Sequence, residues 1–172
     1  MYILIIYLFI FKFDINTTIM SFSPADNIQD LQNFGEFGGV NPSISDSSTY
    51  TFMAAKTMAD TFEGNTDGCH LYSRHTTPSN LCLGEALAAM EGTETANVSA
   101  SGMGAITPVL LQLVGAGEHI VSSRTIYGGT YAFLKNFTPR LGITTTFVDI
   151  TKLDIVEAAI TKNTKVLFCE TV

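Results

Sequence analysis

From residue 79 onward the chain alternates short apolar runs with helix-patterned stretches, and that alternation leaves few folds open. Ser79 or Asn80 can cap a helix running to Glu91, with Leu81, Leu83, Leu87 and Met90 on its buried side and Gly92 as its stop. A strand is expected over 95–100, a helix over 102–114 and a strand over 119–123. A helix over 129–141, a strand over 143–149, a helix over 152–161 and a strand over 165–170 follow. Pro108 fits the second of these helices because it lies near its beginning. Such a pattern predicts an α/β fold, with a mostly parallel sheet covered by helices on both faces. Sheets of this kind bind ligands at the carboxyl ends of their strands, and Ser101, Tyr127 and Glu170 fall at or near those ends.

The joint Ala100-Ser101-Gly102-Met103-Gly104-Ala105-Ile106-Thr107 carries the most chemistry. Where a strand gives way to a helix, the first backbone N–H groups of the helix have no intrahelical partner. Glycine lets an anion approach them, and the helix dipole adds roughly 0.3–2 kcal/mol in favour of negative charge. Read alone, the same glycines fit a plain tight turn. Two further segments bear on the choice: Tyr72-Ser73-Arg74-His75-Thr76-Thr77-Pro78-Ser79-Asn80 upstream, and Thr125-Ile126-Tyr127-Gly128-Gly129-Thr130 downstream. Arg74 offers a planar fork of donors for a phosphate, Tyr72 a hydroxyl for the same group, and Tyr127 a ring to stack on a flat heteroaromatic. Together they describe a site for a phosphorylated aromatic cofactor.

The order Tyr-Ser-Arg, Ser-Gly-Met, Tyr-Gly-Gly-Thr resembles the Cys/Met-metabolism family of pyridoxal-phosphate enzymes, over residues 39–172. That family includes methionine γ-lyase, cystathionine γ-synthase and the homoserine sulfhydrylases, and the 100–107 turn reads most like the first of these. The resemblance implies the N-terminal part of a fold-type I PLP-dependent transferase, preceded by an extended arm that packs on a neighbouring subunit. It implies pyridoxal 5′-phosphate as cofactor, with Ser101, Gly102 and Met103 at its phosphate. Tyr72 and Arg74 would reach that phosphate from the adjacent subunit of a dimer of dimers. Tyr127 would cover the pyridine ring and act as acid or base on the substrate. The implied activity is carbon–sulfur lysis of a small sulfur-containing amino acid in transsulfuration, with sulfhydrylase or cystathionine γ-synthase activity as the alternative. Two positions depart from the family pattern: Gly129 stands where methionine γ-lyases often carry a reactive cysteine, and Thr77 where an asparagine is common. Both put methionine as the preferred substrate in question. Glu170 matches a position acidic in many relatives, and the sequence assigns it no role.

Composition sets the outer bounds. The chain has 172 residues, 46% hydrophobic and only 15% charged, enough for a packed body with a sizeable core. A net charge of −7 and the lack of any Lys/Arg run argue against nucleic acid or anionic membrane as partners. Cys69, Cys82 and Cys169 are odd in number and widely spaced, so neither a disulfide framework nor a metal site is indicated, and a reducing cytoplasm fits. His70, His75 and His119 form no ligand pattern.

Residues 1–19 are expected to be an apolar extension outside the native fold: too short to span a bilayer and without a clear signal-peptide pattern, with Met20 as the true start. Residues 20–68 are expected to form an arm with one short helix over 54–63, placing Met53, Ala54, Met58 and Phe62 on related faces. Residues 69–172 are expected to be a partial cofactor-binding domain. A pyridoxal-phosphate enzyme also needs a lysine amine to hold its cofactor. Lys12, Lys56, Lys135, Lys152, Lys162 and Lys165 do not stand in the Ser-x-Thr-Lys setting the family uses. The expectation is therefore the N-terminal portion of a longer enzyme, inactive by itself. Two rivals are a nucleotide-binding module built on the glycine turn and a non-catalytic subunit lending Tyr72 and Arg74 to a full-length paralogue.

Overall fold

A computed structural model describes residues 2–6, 9–11, 23–31, 35–65 and 68–170, in two compact units, 19–98 and 99–172 joined by 1–18. The second unit is built on a five-stranded sheet. Strands β1 (Tyr2–Ile6) and β2 (Phe9–Phe11) come from the N-terminal extension; β3 (His119–Ser123), β4 (Thr144–Val148) and β5 (Thr164–Glu170) come from the body. Their order is β2-β1-β5-β3-β4, with β3 parallel to both β4 and β5, β1 parallel to β5, and β2 antiparallel to β1. Lys12 and Met20, which bear on the expected start of translation, lie outside the described residues.

Every residue of β3 is buried, as a strand flanked on both edges and covered on both faces must be. Around it Ile106, Leu110, Val114, Ile120, Leu134, Ile143, Val166 and Phe168 form one core, with Met103, Ile126 and Phe147 packed against it. Helix α4 (Gly102–Leu113) supplies Ile106 and Leu110 at the spacing of four that puts two side chains on one face. The parallel α/β sheet of β3, β4 and β5 thus stands as the sequence predicts; β1 and β2 join it from residues 1–19, which were expected to lie outside the fold, and two local corrections follow in this unit. The stretch expected as a strand over 95–100 is extended but unpaired, because among the described residues no strand runs beside it. The helix expected over 129–141 is three successive pieces: α5 (Gly128–Ala132), a π-helical turn Phe133–Phe137 and a 3₁₀ turn Thr138–Leu141. The cause is local: the Thr138 hydroxyl takes the Leu134 carbonyl at 2.8 Å while its N–H reaches back to Phe133, and Pro139 has no N–H to continue the ladder. Helix α6 (Leu153–Ala159) packs against β4.

The first unit holds α1 (Pro24–Asp30), a 3₁₀ turn Glu36–Gly38, α2 (Ala55–Phe62) and α3 (Pro78–Glu91). The arm was expected to carry α2 alone. Helix α3 begins at Pro78 with Thr77 as its cap, accepting from Asn80 N–H at 3.1 Å, so the cap is neither Ser79 nor Asn80. Proline fixes this choice, since it favours the first helical position and holds the residue before it extended. The expected buried leucines are also corrected: Leu81, Leu83 and Leu87 are exposed, and the buried stripe is Gly84 and Ala88. Gly84 is required there because a Cβ would stand 2.6 Å from the Ala96 carbonyl oxygen. Met53, Met58 and Phe62, placed on related faces of α2, are exposed as well. Gly92 ends α3 in the left-handed region, φ 66°, as expected.

His119 closes the start of β3. It is buried between hydroxyls, Nδ1 2.8 Å from Thr164 Oγ1 and Nε2 2.9 Å from Thr146 Oγ1, and burial holds its pKa below the ordinary 6.5. Because the folded value is depressed, the unfolded chain takes up the proton first as pH falls, so stability is kept above about 6.5 and declines below it. Urea unfolding should therefore show a lower midpoint at pH 5.5 than at pH 7.5, and His119→Gln should shrink that difference.

Candidate functional site

The carboxyl ends of β3 and β5 and the start of α4 meet at one rim of the second unit. Ser101 caps α4, its hydroxyl accepting from Gly104 N–H at 3.0 Å, and Ala105 N–H reaches the Ser101 carbonyl at 3.0 Å. Among the described residues, Gly102 and Met103 N–H meet no protein acceptor, and a Cβ on Gly102 would meet nothing within 4 Å. The turn thus offers two unsatisfied donors, an unobstructed approach and the positive end of a twelve-residue helix.

Tyr127 precedes α5 and is 63% exposed, its ring free to face a ligand. Its backbone is fixed from both sides: the N–H donates to Glu170 Oε2 at 2.6 Å and the carbonyl accepts from Tyr131 N–H at 2.9 Å. Glu170, to which the sequence assigns no role, is therefore a clamp on the Tyr127 turn. Its other oxygen, Oε1, is buried and has no partner among the described residues. The two turns adjoin, since Thr130 Oγ1 donates to Met103 Sδ at 3.7 Å. The structure thus brings Ser101, Gly102, Met103 and Tyr127 to one rim, and Glu170 and Thr130 join them. The signal for Glu170 was its place at a strand's carboxyl end; Thr130 stood in the Tyr-Gly-Gly-Thr motif with no role assigned to it.

Tyr72 and Arg74 belong to the other unit. Tyr72 bridges Thr49 as an isolated β-pair, and His75 N–H returns to its carbonyl at 2.9 Å. Arg74 lies over the Tyr72 ring, Cζ 5.1 Å from the centroid, and meets no carboxylate among the described residues. The two residues expected to share a phosphate are thus held as a pair with an unneutralised guanidinium.

Within the second unit the free amides and open glycine suit the phosphate end of pyridoxal phosphate, and the exposed Tyr127 ring suits its flat heteroaromatic part. They do not supply its amine. Lys56, Lys135 and Lys165 are engaged with Asp60, Tyr131 and Glu118. Among the described residues no group of His, Cys, Asp and Glu is placed to hold a metal, and no helix is long and apolar enough to cross a membrane.

Comparison with known proteins agrees. A family model described as Cys/Met metabolism PLP-dependent enzyme matches residues 26–172. The chain is 46% identical over 155 residues to a methionine gamma-lyase of Arabidopsis thaliana, covering 87% of this chain and 35% of that protein. It is 37% identical over 123 residues to an O-succinylhomoserine sulfhydrylase of Pseudomonas aeruginosa, covering 72% of this chain and 30% of the relative. A solved structure of a protein described as an O-acetylhomoserine (thiol)-lyase from Campylobacter jejuni, which carries N′-pyridoxyl-lysine-5′-monophosphate, matches with TM-score 0.77 and 30% identity. It covers 84% of this chain and 36% of that one. The chain thus spans about a third of the length of the curated relatives it matches.

Replacing Ser101 by Ala should lower the unfolding free energy by about 1 kcal/mol, the usual worth of an N-cap. Amide exchange at Gly104 should accelerate in that variant. Gly102 and Met103 should exchange fast in both proteins, having no protein acceptor to lose.

Proposed function

This chain belongs to the Cys/Met metabolism PLP-dependent enzyme family, and from that premise we propose that it forms the phosphate-gripping and ring-covering part of a pyridoxal-phosphate enzyme of sulfur amino-acid metabolism. The observation that carries this reading is the adjacency of the two free amides of α4 to the Tyr127 turn. Gly102 and Met103 N–H bind the phosphate, and Ser101 keeps the helix start in shape by occupying Gly104. Tyr72 and Arg74 add a hydroxyl and a guanidinium from a second copy of the chain in a homo-oligomer. The exposed Leu81, Leu83 and Leu87 of α3 support such an assembly, as apolar side chains that a neighbouring copy would bury.

Bound there, the cofactor ring draws electrons from the substrate α carbon. Tyr127 covers the ring with its aromatic face, and its phenol takes or returns a proton near the reacting carbon. Glu170 holds the Tyr127 backbone so that the hydroxyl returns to one place. The substrate is a small sulfur-containing amino acid, and the reaction is carbon–sulfur lysis of the methionine γ-lyase kind. A sulfhydrylase or cystathionine γ-synthase reaction is the second reading, supported by the sulfhydrylase among the relatives. Cys69, Cys82 and Cys169, all free thiols, support a reducing cytoplasmic setting. The lysine that would hold the cofactor is not identified in this stretch, so catalysis needs a residue beyond those described.

Pyridoxamine 5′-phosphate tests the grip without any lysine chemistry. The 172-residue chain should bind it far more tightly than unphosphorylated pyridoxamine, by isothermal titration. Arg74→Ala should weaken binding about 10- to 150-fold, the worth of a charge-assisted hydrogen bond. Equal binding of the two compounds would sink the reading.

A further inference from the structure

Helix α5 opens with two adjacent glycines, Gly128 and Gly129, each of which weakens a helix by about 1 kcal/mol relative to alanine. Neither has a positive φ, so backbone conformation does not demand glycine at either position. Their surroundings differ sharply. A Cβ on Gly128 would meet nothing within 4 Å. On Gly129 it would stand 2.5 Å from Tyr127 Cε1, 3.2 Å from Tyr127 Cδ1 and 3.3 Å from Met103 Sδ. The first distance is too short for any real contact. The place a side chain would take at residue 129 is filled by the Tyr127 ring.

We propose that Gly129 is the positioning residue for Tyr127: its missing side chain is the seat in which the phenol ring lies against α5, beside Met103. The rest of the turn cannot yield. Tyr127 is pinned by Glu170 at its N–H and by Tyr131 at its carbonyl, and Thr130, fully buried, ties α5 to the Met103 sulfur. What can move is the ring, by rotation about its own side-chain bonds. A side chain at 129 therefore leaves the fold in place and drives the ring off Met103, whose own N–H belongs to the anion-binding turn. Size at residue 129 sets how the ring stands over whatever occupies that turn. This consequence for ligand rests on the cofactor reading above; the seat itself does not.

The test compares Gly129→Ala with Gly128→Ala, the same change one residue earlier in open space. Methionine methyls of the 172-residue chain are labelled with ¹³C, and the Met103 signal is assigned by Met103→Leu. A ring seated beside the Met103 sulfur shifts that methyl through its ring current, and Tyr127→Leu gives the position without a ring. Gly129→Ala should move the Met103 signal toward the Tyr127→Leu position, whereas Gly128→Ala should leave it where it stands in the parent chain. Urea unfolding should show both alanine variants folded. Pyridoxamine 5′-phosphate should bind Gly129→Ala about two- to tenfold more weakly, as expected for a disturbed aromatic stack, and Gly128→Ala as the parent does. An unmoved Met103 signal in Gly129→Ala, or an equal shift in both variants, would overturn the seat. Failure of the parent chain to bind the phosphorylated ligand would overturn the cofactor reading instead, while the methyl signals still decide the seat.

Discussion

The parallel run of β3 between β4 and β5 is the constraint on which the site depends. Because the strands share a direction, their carboxyl ends come out at one rim, and the loops leaving them are thrown together whatever their separation in sequence. Glu170 therefore reaches the backbone of Tyr127 across 43 residues. The same geometry brings Arg124, just past β3, to Asp149, just past β4, at 3.0 Å. Asp149 sits below the usual carboxylate range chiefly because Thr151 donates to it twice, with Arg124 adding a smaller attraction. Polar residues at the ends of β3, β4 and β5 thus tie the loops of this rim together, with the fully buried β3 behind them.

On that frame the start of α4 divides its amides between satisfied and unsatisfied donors. Of its first donors, Gly104 is satisfied by Ser101 and Ala105 by the Ser101 carbonyl, leaving Gly102 and Met103 outward-facing. Met103 takes part twice, its amide unsatisfied at the start of α4 and its thioether meeting Thr130 and, with the Tyr127 ring, lying against Gly129. A soft, polarizable sulfur suits that second task, since it packs favourably on aromatic edges and tolerates small adjustments.

The parallel run of β3, β4 and β5 and helix α4 could be read from the chain because each rests on local pattern: β-branched runs, a Gly-rich joint, apolar residues four apart; β1 and β2, from the segment set aside, could not. What could not be read depended on partners distant in sequence. The 95–100 stretch has strand composition, yet a strand exists only where another lies beside it. The leucines of α3 have the look of a buried face, but Gly84 and Ala88 let the chain approach more closely, and the leucines were left outside. Thr77 as cap and α1 behind Ser23-Pro24 were both legible in hindsight, through proline at the first helical position. In the site, Ser101, Gly102, Met103 and Tyr127 announced themselves by residue type. Glu170 was marked only by its place at a strand's end and not by its partner, because its work is a hydrogen bond to a backbone N–H, and no sequence motif records which carboxylate will find which amide.

Which cations of an acidic chain stay available follows from where the others are spent. Lys56, Arg124 and Lys165 are each matched to a carboxylate, and pairing of this exposed kind cancels their field a Debye length away. Arg74 is instead parked on the face of Tyr72, a contact that steadies the guanidinium without neutralising it and leaves its edge donors unused. The overall charge of −7 sets the far field, which weakly repels a phosphate. Within each unit the local groups run against that far field: the Gly102 and Met103 amides are unsatisfied in one, the Arg74 guanidinium is unneutralised in the other, and at contact distance screening by salt is slight. Local geometry, and not the sum of formal charges, therefore decides which ligands this surface can take.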